Sequence, residues 1–243
     1  MNKTWNNNIY LTFDMDWAID EVLMDFYELI RSLGLVGTIH VTHNTKMLNI
    51  FREEDLLDLG VHPNYNFLLQ YEGEHTYVQI LQDIKKIVPE AVCLRSHALT
   101  NSSVIQHEYN ALGIKYDLNT LIPAMEGMVI YPFDSAMADF KILPFIYEDD
   151  IYMNLKKKKT ADFFLSDKFI APRIFNFHPI HLYLNTDRRE TYEKARPFFR
   201  DAGTLANMRN EKNYGTRDFF IDLVTCGKKS GWQFEKIRDG DWE

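Results

Sequence analysis

Ile9-Tyr10-Leu11-Thr12-Phe13-Asp14-Met15-Asp16-Trp17 reads as an apolar strand that runs into two carboxylates one residue apart. Ionised carboxylates gain little from burial unless something pairs with them, and a metal ion is one such partner. The two acids share a side of the chain if the strand geometry continues through them. The remaining question is whether the chain supplies further ligands at equivalent places.

Behind this stretch Ile19, Val22, Leu23, Phe26, Leu29, Ile30 and Leu33 recur at helical spacing, and Gly34 follows as a helix stop. The alternation then repeats. Residues 37–41 read as a strand, 48–59 as a helix closed by Gly60, and 60–62 as a short strand. Residues 77–88 read as a helix, 91–94 as a strand, and 101–112 as a helix with Asn101 or Ser102 as N-cap. Residues 113–117 start another strand, and 169–177 read as a late one. The stretch 120–165 is less regular, and the chain from about residue 186 looks mainly helical with aromatic anchors. Strands alternating with helices mean parallel βαβ units. The glycine-rich phosphate loop of a dinucleotide fold is missing after the first strand, so a (β/α) barrel is preferred over a Rossmann sheet.

Composition bounds the function. A length of 243 residues with 46% hydrophobic side chains suits one α/β domain spanning 1–243 with a full core. A net charge of −8 argues against a nucleic-acid partner. Two cysteines, Cys93 and Cys226, are too few for a disulfide framework, and Cys93 in its apolar run is expected to be a buried thiol. No stretch is apolar enough for a membrane span, and the first residues lack a signal-peptide core, so a cytoplasmic protein is expected. The run Lys156–Lys159 reads as a solvated edge, with docking of an anionic carrier group as the sharper alternative.

Chemistry in parallel barrels gathers where strands end. The expected exits carry Asp14 and Asp16; His40, Thr42 and His43; His62, Asn64 and Asn66; Arg95, Ser96 and His97; and Asn176, His178 and His181. Six of the eight histidines fall there, leaving His75 and His107 as surface residues. Each has a plainer reading as a hydrogen-bonded structural group, Asp16 as a helix cap, or Arg95 as an ion-pair partner. Jointly those readings require several coincidences on one face. Imidazole plus carboxylate, without HExxH or a cysteine cluster, points to zinc, with cobalt or nickel as substitutes. Glu148-Asp149-Asp150 either orients His178, contacts the substrate, or forms a solvated turn. Trp17, Tyr65 and Tyr116 are candidate walls for a sugar ring.

The stretch Leu11-Thr12-Phe13-Asp14-Met15-Asp16 resembles the first motif of the polysaccharide deacetylases, the NodB-homology carbohydrate esterases of family four. Val61-His62-Pro63-Asn64-Tyr65-Asn66 resembles their second motif, Leu94-Arg95-Ser96-His97 the third, and Phe175-Asn176-Phe177-His178-Pro179 the last. Together they look most like the divergent WbmS-like branch linked to surface-polysaccharide synthesis, over about residues 8–185. The resemblance implies a distorted (β/α) barrel that hydrolyses acyl groups from an amino sugar or related carbohydrate, a nucleotide- or lipid-linked intermediate included. It implies Asp14 as general base, Asp16 and His62 as metal ligands, Arg95 as the group orienting Asp14, and His178 as general acid. Asn66 stands where the family usually has a second His. The third ligand is then His97, preferred here, or His43, with His40 also possible; Asn66, Asp149 and His181 remain substrate contacts or alternative ligands. A cyclic-amide or formyl-amide hydrolase is the competing enzyme. A non-catalytic binding protein of a glycan-assembly complex is the other alternative.

Overall fold

The computed structural model describes residues 7–66, 76–155 and 158–242; His75, Lys156 and Lys157 lie outside them. The front of the chain runs β1 (Asn8–Asp14), α1 (Asp20–Ser32), β2 (Gly37–Val41), α2 (Met47–Glu54), β3 (Leu57–Val61), α3 (Tyr77–Ile87) and β4 (Cys93–Leu94). Then come α4 (Ser103–Gln106), β5 (Tyr116–Asp117), β6 (Phe133–Asp134), β7 (Lys141–Ile142), β8 (Tyr147–Glu148), α5 (Asp149–Tyr152) and α6 (Ala161–Phe164). The chain ends with β9 (Arg173–Phe177), α7 (Pro179–Leu184), α8 (Arg189–Ala195), α9 (Ala202–Asn207), α10 (Thr216–Lys229) and β10 (Gln233–Glu235).

The periodicity of α1 explains its place. Val22, Leu23, Phe26, Tyr27, Leu29 and Ile30 are buried, Asp20 and Glu21 sit in the first turn, and Arg31 in the last, which suits the helix dipole. The sequence differs from the structure at the second helix, which ends at Glu54 rather than 59 because Asp55 takes a left-handed conformation (φ 51°). Leu57, Leu59 and Val61, read as the end of that helix and the start of a short strand, belong to β3. Residues 101–112 hold only a four-residue α4, capped by Ser102, and a 3-10 turn over Asn110–Leu112. β10, pairing parallel to the start of β1, interrupts the expected helical C-terminus.

The strands lie in the order β6-β7-β5-β4-β3-β2-β1-β9-β8, all parallel except β6 against β7. The sheet curls on itself. Past β5 the chain pairs with the segment leading into β8: Phe145 N–H donates to the Thr120 carbonyl and Ile122 N–H to that of Phe145. The result is a distorted (β/α) barrel. Ile9, Leu11 and Phe13 of β1 face the helices, whereas Tyr10 joins Cys93, Leu118, Leu143, Phe145, Ile174, Ile237 and Trp242 in an inner cluster.

That inner cluster closes the bottom of the barrel. The Ile237 N–H donates to Thr38 Oγ1 at 3.0 Å, Trp242 Nε1 donates to the Ile237 carbonyl at 2.8 Å, and the rings of Tyr10 and Trp242 lie 4.5 Å apart. Burying such a side chain is worth about 1.5–3 kcal/mol, so the C-terminal segment seals one end at a gain. Cys93 is a buried free thiol. The polar residues are left for the other end.

Candidate active site

Inward positions of the strands change from apolar to polar toward the carboxyl ends: Tyr10, Thr12, Asp14 on β1 and Ile174, Asn176 on β9, with His178 just past its end. The register fixes their neighbours, with Thr12 beside Thr38 and Asn176, and Asp14 beside His40.

Asp14 is the centre of a dry network. Only 2% of it is exposed. Its Oδ1 lies 3.1 Å from Arg95 Nη1 and 3.1 Å from His40 Nδ1, and its Oδ2 accepts from Asn176 Nδ2 at 2.8 Å. Arg95 Nη1 also donates to Asn176 Oδ1 at 2.6 Å, and its Nε to the Leu118 carbonyl at 3.1 Å. Burial alone would raise the Asp14 pKa, but Arg95, His62 and His40 outweigh it and hold the carboxyl well below the usual range. The same burial drives His40 down to about 4, so its ring is neutral. His40, one of the possible metal ligands from the sequence, is instead a partner of Asp14.

Asp16 sits one layer higher. Its φ of 41° and that of Trp17, 55°, are left-handed, so the strand has ended and its alternation with Asp14 does not carry through. That corrects the expectation that both acids share one side by strand geometry. Asp16 Oδ1 lies 3.1 Å from His62 Nε2 and 3.1 Å from His97 Nδ1, the three forming a group with the spacing to hold a metal ion. Burial opposes the charge on Asp16, yet the two imidazoles keep its carboxyl far below the usual range. His97 is placed by an irregular turn in which Ala98 and Leu99 both have φ 54°, and its N–H donates to the Pro63 carbonyl at 3.0 Å.

His178 closes the third side. Its Nε2 is 3.6 Å from Asp16 Oδ2. Asp149 grips it twice, Oδ1 to Nδ1 at 2.6 Å and Oδ2 to the backbone N–H at 2.8 Å. Burial works against the imidazolium, but Asp149 and then Asp16 and Asp150 raise its pKa well above the ordinary value. Asp149 is therefore no solvated turn; it is buried and orients His178.

The other expected residues lie around this centre. His43 turns its Nδ1 to Thr42 Oγ1 at 2.9 Å, outside the Asp16 group. Asn66 accepts from Thr100 Oγ1 at 3.2 Å and is tied by its N–H to Asn64 Oδ1 at 3.0 Å. His181 bonds Thr186 Oγ1 at 3.1 Å, and it groups with Asp149 and His178 as a second donor cluster. Trp17, 38% exposed, packs edge-on to His97. Tyr65 is buried in the core and Tyr116 packs on the inner bottom cluster, so neither is a sugar wall. His107 is exposed. Sequence reasoning noted Asn176 without giving it a role, and missed the Asp117–Asn119 pair. Asn119 Oδ1 holds the Ser96 N–H at 2.8 Å between Arg95 and His97. The only sequence signal for Asn176 was its place two residues before His178, on the same face of a strand.

A barrel of parallel strands with acids, histidines and an arginine at successive strand exits is the architecture of the NodB-type polysaccharide deacetylases. Residues 11–196 match the family model of the WbmS-like polysaccharide deacetylases, and the chain belongs to that family. It is 34% identical to WbmS of Bordetella bronchiseptica, a protein assigned as a polysaccharide deacetylase involved in O-antigen biosynthesis. That crystal structure superposes with a TM-score of 0.85 over 92% of both chains. The Xyl-CE4 domain of a multidomain xylanase from the hindgut metagenome of Trinervitermes trinervoides is 12% identical, with a TM-score of 0.50 over 96% of this chain and 88% of that one. At that identity the likeness is one of fold. None of the curated proteins matches.

Proposed function

We propose that the protein is a metal-dependent hydrolase that removes an acyl group, acetyl first, from an amino sugar or related carbohydrate intermediate of surface-polysaccharide synthesis. The observation that carries this reading is the placement of Asp16, His62 and His97 between two differently built acid–base groups, Asp14 with Arg95 and His178 with Asp149. The donor set fits a divalent cation. Tetrahedral zinc with bonds of about 2.0–2.1 Å holds its ligands about 3.3 Å apart, and both imidazole nitrogens stand 3.1 Å from Asp16 Oδ1. Asp16, with 21% of its side chain exposed, keeps the group on the solvent side.

Bound there, zinc or a similar ion supplies Lewis acidity and a water of lowered pKa. Asp14 takes the proton from the attacking water, held in line by Arg95 and Asn176. His178, kept as imidazolium by Asp149, gives its proton to the departing nitrogen, which leaves poorly without one. The assignment of WbmS to O-antigen biosynthesis supports the surface-polysaccharide context. We infer a nucleotide- or lipid-linked amino sugar as substrate rather than finished polymer. The described residues hold no helix long and apolar enough to cross a membrane.

The test is metal content of the purified protein together with acetate release from a panel of N-acetylated amino sugars. A protein that stays metal-free after zinc, cobalt or nickel addition would sink the hydrolase reading. Release of acid from cyclic imides or formamides, but not from acetylated sugars, would select the competing enzyme.

A further inference from the structure

A cleft of about 220 Å³ opens beside Asp16 and His178, and neither the metal donors nor the acid–base groups account for its far wall. Met153 and Ile180 give it apolar sides. Tyr192 of α8 also lines it, with its ring 4.8 Å from that of His181. Pockets that enclose a whole drug-sized ligand run to about 300–1,000 Å³. This cleft is smaller and suits one sugar residue with its acyl group. Whatever the sugar is attached to must leave over the rim.

The rim is formed by α8 and the turn after it, and it is basic. Residues 187–200 hold five arginines and lysines against three acids, in a chain whose net charge is −8. Arg189 lines the cleft itself. Glu193, one helical turn on, meets Arg189 Nε with its Oε1 at 3.3 Å and Arg196 Nη1 with its Oε2 at 3.7 Å. One carboxylate thus holds two guanidiniums side by side. The three side chains are between 40% and 68% exposed, and ion pairs so exposed contribute little to folding, so stability is a weak reason for the arrangement. Only Nε of Arg189 is engaged among the described residues. Its two Nη groups keep free the edge with which a guanidinium grips two oxygens of a phosphate. Asp150 is a further acid of the cleft, and its charge falls on the His178 imidazolium.

We propose that Arg189, backed by Arg196, is a specificity-determining residue that binds the phosphate on the anomeric carbon of the acylated amino sugar. The inference rests on the hydrolase reading above and sharpens it. With the acyl group at Asp16 and His178 and the sugar in the cleft, the anomeric substituent is the first group to reach the rim. A glycosyl phosphate is what nucleotide-linked and lipid-linked sugars share and what a neutral glycoside lacks. The contact lies away from the bond that breaks, so it strengthens substrate and transition state alike and acts on KM.

The test gives the zinc-supplemented protein four forms of one N-acetylated amino sugar: the neutral methyl glycoside, the 1-phosphate, a nucleoside-diphosphate conjugate and a prenyl-diphosphate conjugate. By acetate release, the wild-type protein should favour the three phosphorylated forms over the neutral one by about 10–100-fold in kcat/KM, the scale of a hydrogen-bonded charge pair. Arg189→Gln should bring that ratio toward one, through KM and with kcat on the phosphorylated forms within about twofold. Arg189→Lys, which keeps the charge without the fork, should recover only part of it. Added salt should shrink the preference, because the contact is at the surface. A carrier favoured over the bare 1-phosphate, with the preference lost in Arg189→Gln, would tell the nucleotide source from the lipid one. Equal rates on neutral and phosphorylated forms, or an Arg189→Gln that keeps the preference, would overturn the proposal.

A second readout needs no turnover. Calorimetric titration with the sugar 1-phosphate should show affinity about 10–100-fold weaker in Arg189→Gln than in the wild-type protein. A wild-type protein that releases no acetate from any form, yet binds the 1-phosphate through Arg189, would count against the hydrolase reading and leave the phosphate site standing. Binding of the 1-phosphate that is absent, or equal in the two proteins, would overturn the site.

Discussion

Asp14 and Asp16 stand two residues apart in one apolar-to-acidic stretch, and the structure makes them unlike in almost every physical respect. Asp14 completes β1 in extended geometry, is buried, and has both oxygens bonded to Arg95, His40 and Asn176. Asp16 follows in left-handed backbone, is partly exposed, and meets the imidazoles of His62, His97 and His178. A carboxylate sealed beside a guanidinium is held ionised and in one orientation. One ringed by three histidines at the barrel mouth has the donor surroundings that suit a cation.

The sharpest way to break this comparison is to neutralise each acid in turn. Asp16→Asn should bind no stoichiometric metal by elemental analysis and lose activity to background. Its fold should be unharmed, because Asn tolerates left-handed φ well. Asp14→Asn should keep its metal while activity falls about 1,000-fold, in the range of a lost acid–base group. It should also melt several degrees lower, since Arg95 is left as a buried charge without its partner, a loss of up to about 3–5 kcal/mol. Metal retained in Asp16→Asn and lost in Asp14→Asn would show that the roles are reversed.

The next contrast lies between the two proton carriers. Asp14 is held ionised and His178 is held protonated, so both are charged at neutral pH for opposite reasons. In Asp149→Asn the desolvation of His178 loses its main opponent, and the imidazole pKa should drop. Activity should fall about 100-fold at neutral pH, with the alkaline limb of kcat/KM moving to lower pH. The sign follows from the form required. The proton donor is the imidazolium, so a raised pKa carries activity upward in pH and its loss withdraws it. An unchanged alkaline limb would remove His178 from the proton-donor role.

Much of this division was written in the sequence. The apolar run into Asp14, the helical spacing of α1 and the polar residues at strand exits located β1, β2, β9 and the mouth of the barrel. What patterning could not reach was set by single backbone conformations. Whether His97, His43 or His40 stands beside Asp16 depends on left-handed φ at Asp16, Trp17, Ala98 and Leu99, which no hydrophobic period encodes. Leu56, Leu57 and Leu59 satisfy a helical period as well as a strand, and the left-handed Asp55 decides between them. β10 is three residues long and poorly buried, too short to show alternation.

A smaller effect separates the network around Asp14 from the surface cluster around Asp16. Gly60 on β3 leaves room for His40: a methyl there would stand 2.6 Å from His40 Cδ2 and 2.8 Å from Cys93 Sγ. Gly60→Ala should cost about 1–3 kcal/mol, seen as a lowered melting temperature, because the inner face is already filled. The shift of His40 should disturb Asp14 and lower kcat while leaving metal affinity near its original value. Metal loss in this variant would mean that the two layers are coupled rather than separate.

The mildest change falls on Asn66. Its side chain is committed to Thr100 Oγ1, in the turn that carries His97, and its N–H to Asn64 Oδ1. The side chain therefore braces the loop that bears His97. Asn66→Ala removes one partly buried hydrogen bond, a loss of about 0.5–1.5 kcal/mol, and should weaken metal affinity only several-fold. His97→Ala, which deletes a donor atom at 3.1 Å from Asp16, should weaken it far more. Equal losses in the two variants, measured by metal titration, would show Asn66 to be a ligand in the loaded protein. Unequal losses would place the third donor on His97, in a cluster distinct from the dry Asp14 network.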